Sequence, residues 1–589
     1  MTTPSSPRQR ILDHLTFLYG PDRAPALMGR LKAILEDFRR RNPHLARKGP
    51  ARRDRLTERD AVLITYGDQV TAPGKRPLVT LAELLERHAA GAITIVHLLP
   101  FFPYSSDDGF SVIDYTAVNP ALGTWEDVER VGRRFRLMFD AVINHISVQS
   151  RWFQEFLRGN PEYAEFFITV EEGTDLSMVV RPRALPLLHP FQTAEGEKWV
   201  WTTFSADQVD LNYANPEVLL RIVEVLLFYV EKGAEIIRLD AIAYLWKKLG
   251  TPCIHLEETH RVVKLFRAVL DEVAPHVLLI TETNVPHAEN VSYFGNGYDE
   301  AQLVYQFPLP PLVLHAFLTG DATHLSTWAS GLSTPSDETT FFNFLASHDG
   351  IGVRPVEGFL SPGEIQALVD RTLAHGGYVS YKTNPDGTES VYELNISYFD
   401  ALSDPKGEEP LDLQVRRFLT SQAVMLSLAG VPGIYVHSLF GSRGDPEAVE
   451  RTGQYRSINR AKFDRRTLEQ ELVDPKSLRH RVFYPYRHLL AVRAAHPAFH
   501  PNGPQQVVNA HPSLFALLRT APDHSISVLC IHNVAGTEVA LELDVAPWTP
   551  GRGSRLRDLI SGRQIPIERG RLRCRVAPYE VLWLTETEN

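Results

Sequence analysis

The chain has 589 residues, more than one hydrophobic core usually serves, so several domains are expected. Its 44% hydrophobic and 22% charged residues belong to an ordinary folded protein, and a formal net charge of -10 without a long basic run argues against nucleic acid as a partner. Three cysteines, Cys253, Cys530 and Cys574, lie far apart and match no metal or disulfide spacing, which fits a reducing compartment. The longest apolar run, "VLLFYV" at 225–230, is too short to cross a bilayer, and no apolar core follows the charges of "MTTPSSPRQR". The expectation is a cytoplasmic, soluble protein with no membrane partner. Its oligomeric state stays open.

Residues 1–58 read as an N-terminal helical extension, with apolar positions at Ile11, Leu12, Leu15, Leu18, Leu31, Ile34 and Leu35. The basic stretch "ARKGPARRDRLTERD" follows as a solvated linker. Then short, β-branched apolar runs alternate with helical patterns: 61–69, 93–103, 136–145, 234–244, 277–284, 301–310, 339–349 and 430–438. Eight strands alternating with helices predict a parallel sheet closed into a (β/α)8 TIM barrel, an α/β fold. The first part of this barrel is placed at 59–145 and its continuation at 206–504. Residues 146–205 read as an inserted domain B, and 350–400 as a loop insertion rich in turn formers. Short alternating runs over 505–589 predict a C-terminal antiparallel β domain.

Most barrel runs end in a polar cluster, and the C-terminal ends of barrel strands carry the chemistry of this fold. "AEIIRLDAIAY" at 234–244 places Arg238 and Asp240 on the same side of a strand, which reads either as a structural ion pair or as a nucleophile beside its organiser. Glu282 ends the fifth run and His348 and Asp349 the seventh, while Asp140, Asn144 and His145 end the third. Carboxylates from the fourth, fifth and seventh strands would converge over one barrel mouth. That is the requirement of a retaining glycosidase, which needs a nucleophile and an acid/base.

"DAVINH" (140–145), "IIRLDAIAY" (236–244), "ITETN" (280–284) and "LASHDG" (345–350) resemble, in order, the four sequence regions of the α-amylase family. "HLLPFFPYSSDDGFSVIDYT", "RPRALPLLHPF", "FSADQVDLN", "FPLPPLVLHA" and "RSINR" look like its sucrose phosphorylase branch, over roughly residues 60–500. "TETNVPH", "NPDGTESVYELN", "FNFLASHDGIG" and "YDEAQLVYQF" look closer to the glucosylglycerate phosphorylases, with the sucrose 6′-phosphate phosphorylases as near relatives.

The resemblance implies Asp240 as nucleophile, Glu282 as general acid/base and Asp349 as transition-state stabiliser. It implies donor-sugar contacts from Asp107, His145, His348 and Arg456, with Phe204, Gln208 and Tyr244 on pocket positions and Arg238 holding Asp240. Neighbouring Asp108 is a weaker match. Arg183 matches an arginine that the branch presents to phosphate or acceptor. Lys382 is inferred from position alone as an acceptor cation.

The implied activity is reversible phosphorolysis of 2-O-α-D-glucosyl-D-glycerate through a glucosyl-enzyme. The alternatives are sucrose 6′-phosphate or sucrose phosphorolysis, α-glucoside hydrolysis, and a non-catalytic sugar-binding barrel. The expected partners are a small glucoside and inorganic phosphate as co-substrate, without cofactor or metal. "CIHLEETH" at 253–260 holds His255, Glu258 and His260, but this spacing reads as a surface helix rather than a metal site.

Overall fold

The computed structural model of the protein describes residues 6–45, 54–182, 185–384, 388–548 and 555–586. Eight parallel strands close into a barrel: Val62–Thr65, Ile95–Leu98, Arg136–Ala141, Ala234–Leu239, Leu278–Thr281, Leu303–Tyr305, Thr340–Phe344 and Val431–Tyr435. Each pairs with its neighbour in sequence, and the eighth closes on the first with Val62 opposite Gly433. Every strand lies inside one of the eight predicted runs. Nearly all their residues are buried, which explains why the runs are continuously apolar rather than alternating. Packing between neighbours is tight: a Cβ on Gly433 would lie 2.3 Å from the ring of Phe342 on the seventh strand.

Long helices follow the first four strands and the last three, among them Pro216–Glu231, Glu257–Val273, Leu309–Thr319 and Leu478–Ala494. The connection after the fifth strand departs from this rhythm. It holds only the short helix His287–Val291 and one 3-10 turn, Ser292–Phe294. Gly295 and Gly297, at φ +57° and +92°, then turn the chain away from helix.

Both long intervals build small antiparallel sheets at the catalytic end. His145–Ser147 pairs with Gln208–Asp210 and brackets the first excursion, whose own sheet joins Thr169–Val170, Gly196–Trp201 and Leu188–Thr193. In the second, Glu389–Asn395 lies between Ile351–Gly352 and Tyr378–Thr383, and the helix Pro362–Ala374 covers one side. Beyond the barrel, strands from Gln505–Val507 to Val581–Glu586 form one eight-stranded antiparallel sheet. The fully buried Arg519 ties it to the barrel by donating to the carbonyls of Ser427 and His500, at 2.8 and 2.7 Å.

The helices Pro7–Tyr19 and Ala24–Arg41 pack on the outside of the barrel against Glu257–Val273, where Arg10 pairs with Asp271 at 2.7 Å. Much of the predicted basic linker, 46–53, lies outside the described residues. Among the described residues, no helix is long and apolar enough to cross a membrane.

Candidate active site

A pocket opens at the C-terminal ends of the barrel strands, and Asp240, Glu282 and Asp349 all line it. Asp240 follows the fourth strand. Its Oδ1 accepts from Arg238 Nη1 at 2.8 Å, and the same nitrogen pairs with Asp140. His97 in turn lies 2.7 Å from Asp140. The guanidinium of Arg238 also lies 5.8 and 5.7 Å from the ring centres of Phe110 and Tyr305. Arg238 is therefore engaged behind Asp240 and is absent from the pocket wall. Two carboxylates and two aromatic rings occupy its head group, so it is placed to hold Asp240 rather than to touch a sugar.

The residue after Asp240 is Ala241, a non-glycine in the left-handed region at φ +48°. Such strain costs of order 1 kcal/mol and persists where surrounding structure imposes it. At this turn the Ala241 N–H donates to Glu282 Oε2, 3.0 Å away. The second and third carboxylates of the trio thus meet different partners. Asp349 pairs with Arg456 at 2.5 Å and approaches His348 at 3.5 Å.

Burial pushes both Asp240 and Glu282 up, each to about 7, helped by the charges of Asp140 and Asp349 at Asp240 and of Asp240 and Asp349 at Glu282. Arg238 opposes the rise at both, but it bonds directly to Asp240, whereas Glu282 accepts a backbone N–H alone among the described residues. This difference in partners favours the charge on Asp240 and the proton on Glu282. Asp349 is held well below the usual carboxylate range: burial works against its charge, but Arg456, His348 and Arg460 overcome it. Burial pushes His348 down to about 3, so it is a neutral hydrogen-bonding group, stacked 4.7 Å from Phe110.

The remaining predicted residues fall into place unevenly. Asp107, His145, Phe204, Gln208, Tyr244, His348 and Arg456 line the pocket. Gln208 Nε2 and His145 Nε2 both meet the Phe110 carbonyl, at 3.0 and 2.9 Å. Phe204 stands edge-on to Tyr244 at 5.6 Å. Asp108 does not line the pocket. It bonds Arg460 at 2.7 Å, and Arg460 donates to the His348 carbonyl at 2.9 Å, so the pair supports the wall.

Lys382 stands beside the pocket rather than in its wall. It is half-buried on the outer strand of the second excursion, opposite Ser390, and does not line the pocket. Burial and the neighbouring Arg354 lower its pKa, with Glu357 as the nearby anion. Arg183 lies outside the described residues.

The 253–260 segment is not a surface helix throughout. His255 lies 3.0 Å from the Tyr293 hydroxyl, His260 lies 2.7 Å from Glu300, and Glu258 pairs with Lys248 at 3.3 Å. These separate partners, not exposure, keep the three side chains from forming one ligand set.

Several wall residues were not singled out from sequence. Glu393 binds Arg456 through both oxygens, at 2.5 and 3.0 Å, so this arginine is held between two carboxylates. Asn284 lines the pocket with its Oδ1 buried and without a hydrogen-bond partner among the described residues. Phe110 and Tyr392 complete the wall. Each lies inside a quoted motif: Asn284 ends "ITETN", Tyr392 and Glu393 fall in "NPDGTESVYELN", and Phe110 follows "SSDDG".

A family model described as "Alpha amylase, catalytic domain" matches residues 90–349. A glucosylglycerate phosphorylase of Allomeiothermus silvanus is 56% identical over 90% of this chain and 92% of its own. One from Spirochaeta thermophila is 53% identical over 98% and 99%. Among solved structures, sucrose 6F-phosphate phosphorylase from Thermoanaerobacter thermosaccharolyticum aligns with a TM-score of 0.70 at 27% identity, covering 81% of this chain and 94% of its own.

Proposed function

The chain belongs to the α-amylase family and, within it, to the glycosyltransferase-type phosphorylases, and from that premise we propose that it catalyses the reversible phosphorolysis of 2-O-α-D-glucosyl-D-glycerate to α-D-glucose 1-phosphate and D-glycerate with retention. Asp240 attacks the anomeric carbon while Glu282 gives its proton to the departing glycerate oxygen. The glycosidic bond breaks as a β-glucosyl ester forms on Asp240. Phosphate oxygen then attacks the same carbon, Glu282 takes up the phosphate proton, and the ester bond to Asp240 breaks. Asp349 and His348 hold sugar hydroxyls, and Asp349 strengthens its hold as positive charge develops on the ring.

The observation that carries the retaining chemistry is the peptide between the two groups: Ala241 follows Asp240 and donates directly to Glu282. Choice of glycerate rests on the full-length likeness to glucosylglycerate phosphorylases, which exceeds the 29% identity to a sucrose 6(F)-phosphate phosphorylase. Arg456 is occupied by Asp349 and Glu393. The anionic co-substrates therefore call for other cations: Arg183, and the Arg354 and Lys382 pair beyond the Gly352 edge of the pocket. The reaction calls on no metal at the barrel mouth.

The test is to incubate the protein with inorganic phosphate and, in turn, glucosylglycerate, sucrose, sucrose 6′-phosphate and glucosylglycerol, measuring α-glucose 1-phosphate. The expected donor is glucosylglycerate. Product from sucrose 6′-phosphate but not from glucosylglycerate would refute the acceptor assignment. Glucose released as fast without phosphate would refute phosphorolysis.

A further inference from the structure

Away from the pocket, His315, His324 and Glu364 bring three potential ligand atoms within 4.8 Å of one another. They come from three helices, Leu309–Thr319, Thr323–Ser330 and Pro362–Ala374. We propose that these residues form a binding site for a divalent transition-metal ion of the zinc type, clamping the second excursion to the barrel.

The geometry is specific. Nε2 of both histidines faces a single oxygen, Glu364 Oε1, at 3.2 Å from His315 and 2.9 Å from His324. In a tetrahedral site with metal–ligand distances of ~2.0–2.1 Å, neighbouring ligand atoms lie ~3.3 Å apart. Both separations are thus near the required edge, needing a small outward shift at His324.

The second carboxylate oxygen is already in use. Glu364 Oε2 accepts from the Ser361 backbone N–H at 2.7 Å and its hydroxyl at 2.8 Å, which fixes the carboxylate and leaves Oε1 to a ligand. The His315 side chain is 4% exposed, yet neither of its ring nitrogens makes a hydrogen bond among the described residues. A buried imidazole so placed is unsatisfied as it stands. A metal on Nε2 would satisfy one of the two nitrogens. His324 is 41% exposed, giving an entry path and room for water as fourth ligand. Two imidazoles and one carboxylate select zinc-like ions over calcium or magnesium.

The clamp would act on the pocket indirectly. His315 lies about one and a half turns beyond Pro310, which lines the pocket from the same helix. Glu364 belongs to the excursion that supplies Ile351, Gly352, Tyr392 and Glu393 to the wall.

The full chain, treated with chelator and dialysed, should bind one Zn2+ by calorimetry and show a higher thermal transition with the ion present. His324→Ala, at a half-exposed position, should weaken binding at least tenfold while leaving the metal-free transition in place. Glu364→Gln should weaken it also by removing the carboxylate charge, while glutamine can serve the same helix cap. Zinc that fails to bind, or that binds either variant as tightly as the parent chain, overturns the site.

Discussion

Arg238 reaches Asp240 through a 2.8 Å hydrogen bond made by the nitrogen that also pairs with Asp140. The arginine is thereby pinned from behind, and it offers Asp240 a positive charge that cannot swing away. Asp240→Asn should lower release of α-glucose 1-phosphate by about 10^4-fold or more, the scale on which enzymes lose a covalent nucleophile. Arg238→Gln should leave some turnover but shift the acid limb of the kcat/KM profile to higher pH, because Asp240 would lose the cation that favours its charge. An unmoved limb would show that Arg238 does not set the ionisation of Asp240.

The proposed first half-reaction needs Asp240 ionised and Glu282 protonated. Burial raises both to about 7, so activity should peak near neutrality and fall on either side. The two limbs belong to the pair rather than to either residue. Glu282→Gln should lose about 10^3-fold on glucosylglycerate. It should still form the glucosyl-enzyme from α-glucosyl fluoride, whose leaving group needs no proton. Equal losses on both donors would remove Glu282 from the acid role.

For the anionic co-substrates, Arg183→Ala, Arg354→Ala and Lys382→Ala separate the candidates. Arg354 follows the pocket edge by two residues and is half-buried, so its loss should raise the KM for glycerate by about tenfold, near the 1.4 kcal/mol worth of a charge-assisted contact. Lys382→Ala should have a smaller effect of the same kind. Arg183→Ala should raise the KM for phosphate. Initial rates in the synthetic and phosphorolytic directions read these apart. Unchanged KM values for glycerate in both Arg354→Ala and Lys382→Ala would place the acceptor carboxylate elsewhere.

His532 makes the C-terminal domain sensitive to acid. Its Nδ1 lies 3.1 Å from the Phe515 carbonyl, and its Nε2 accepts from the Trp583 indole N–H at 3.3 Å, an arrangement that only the neutral ring satisfies. Burial pushes it down to about 4. A histidine depressed when folded contributes stability that is fully present above its unfolded pKa of ~6.5 and lost as pH falls towards the folded value. Denaturant unfolding between pH 7.5 and 4.5 should therefore lose up to about 1.4 kcal/mol per pH unit from this group below pH ~6.5. His532→Gln should flatten the slope, and an identical slope would exclude His532 as the source.

The barrel was legible because its strands are buried on both faces and read as unbroken apolar runs. The short connection after the fifth strand was not, since Gly295 and Gly297 break a helix that the overall rhythm implied. Asp240, Glu282 and Asp349 stand at strand ends, where topology alone brings them to one mouth. Glu393 was hidden because its meeting with Arg456 depends on how a turn-rich excursion folds back, over a separation of 63 residues. The place of Lys382 beside the pocket was hidden for the same reason: strand pairing, not distance along the chain, decides which side chains approach it.

Arg456 closes a fastening between Asp349 of the barrel and Glu393 of the excursion. Among the described residues, the excursion's strands pair with one another and with no barrel strand. It can therefore exchange its outer side chains without disturbing the barrel, provided Glu393 keeps its grip. Such a part is suited to recombination: a graft that carries Glu393 would transplant a new acceptor preference, while one that lacks it would lose the donor sugar as well.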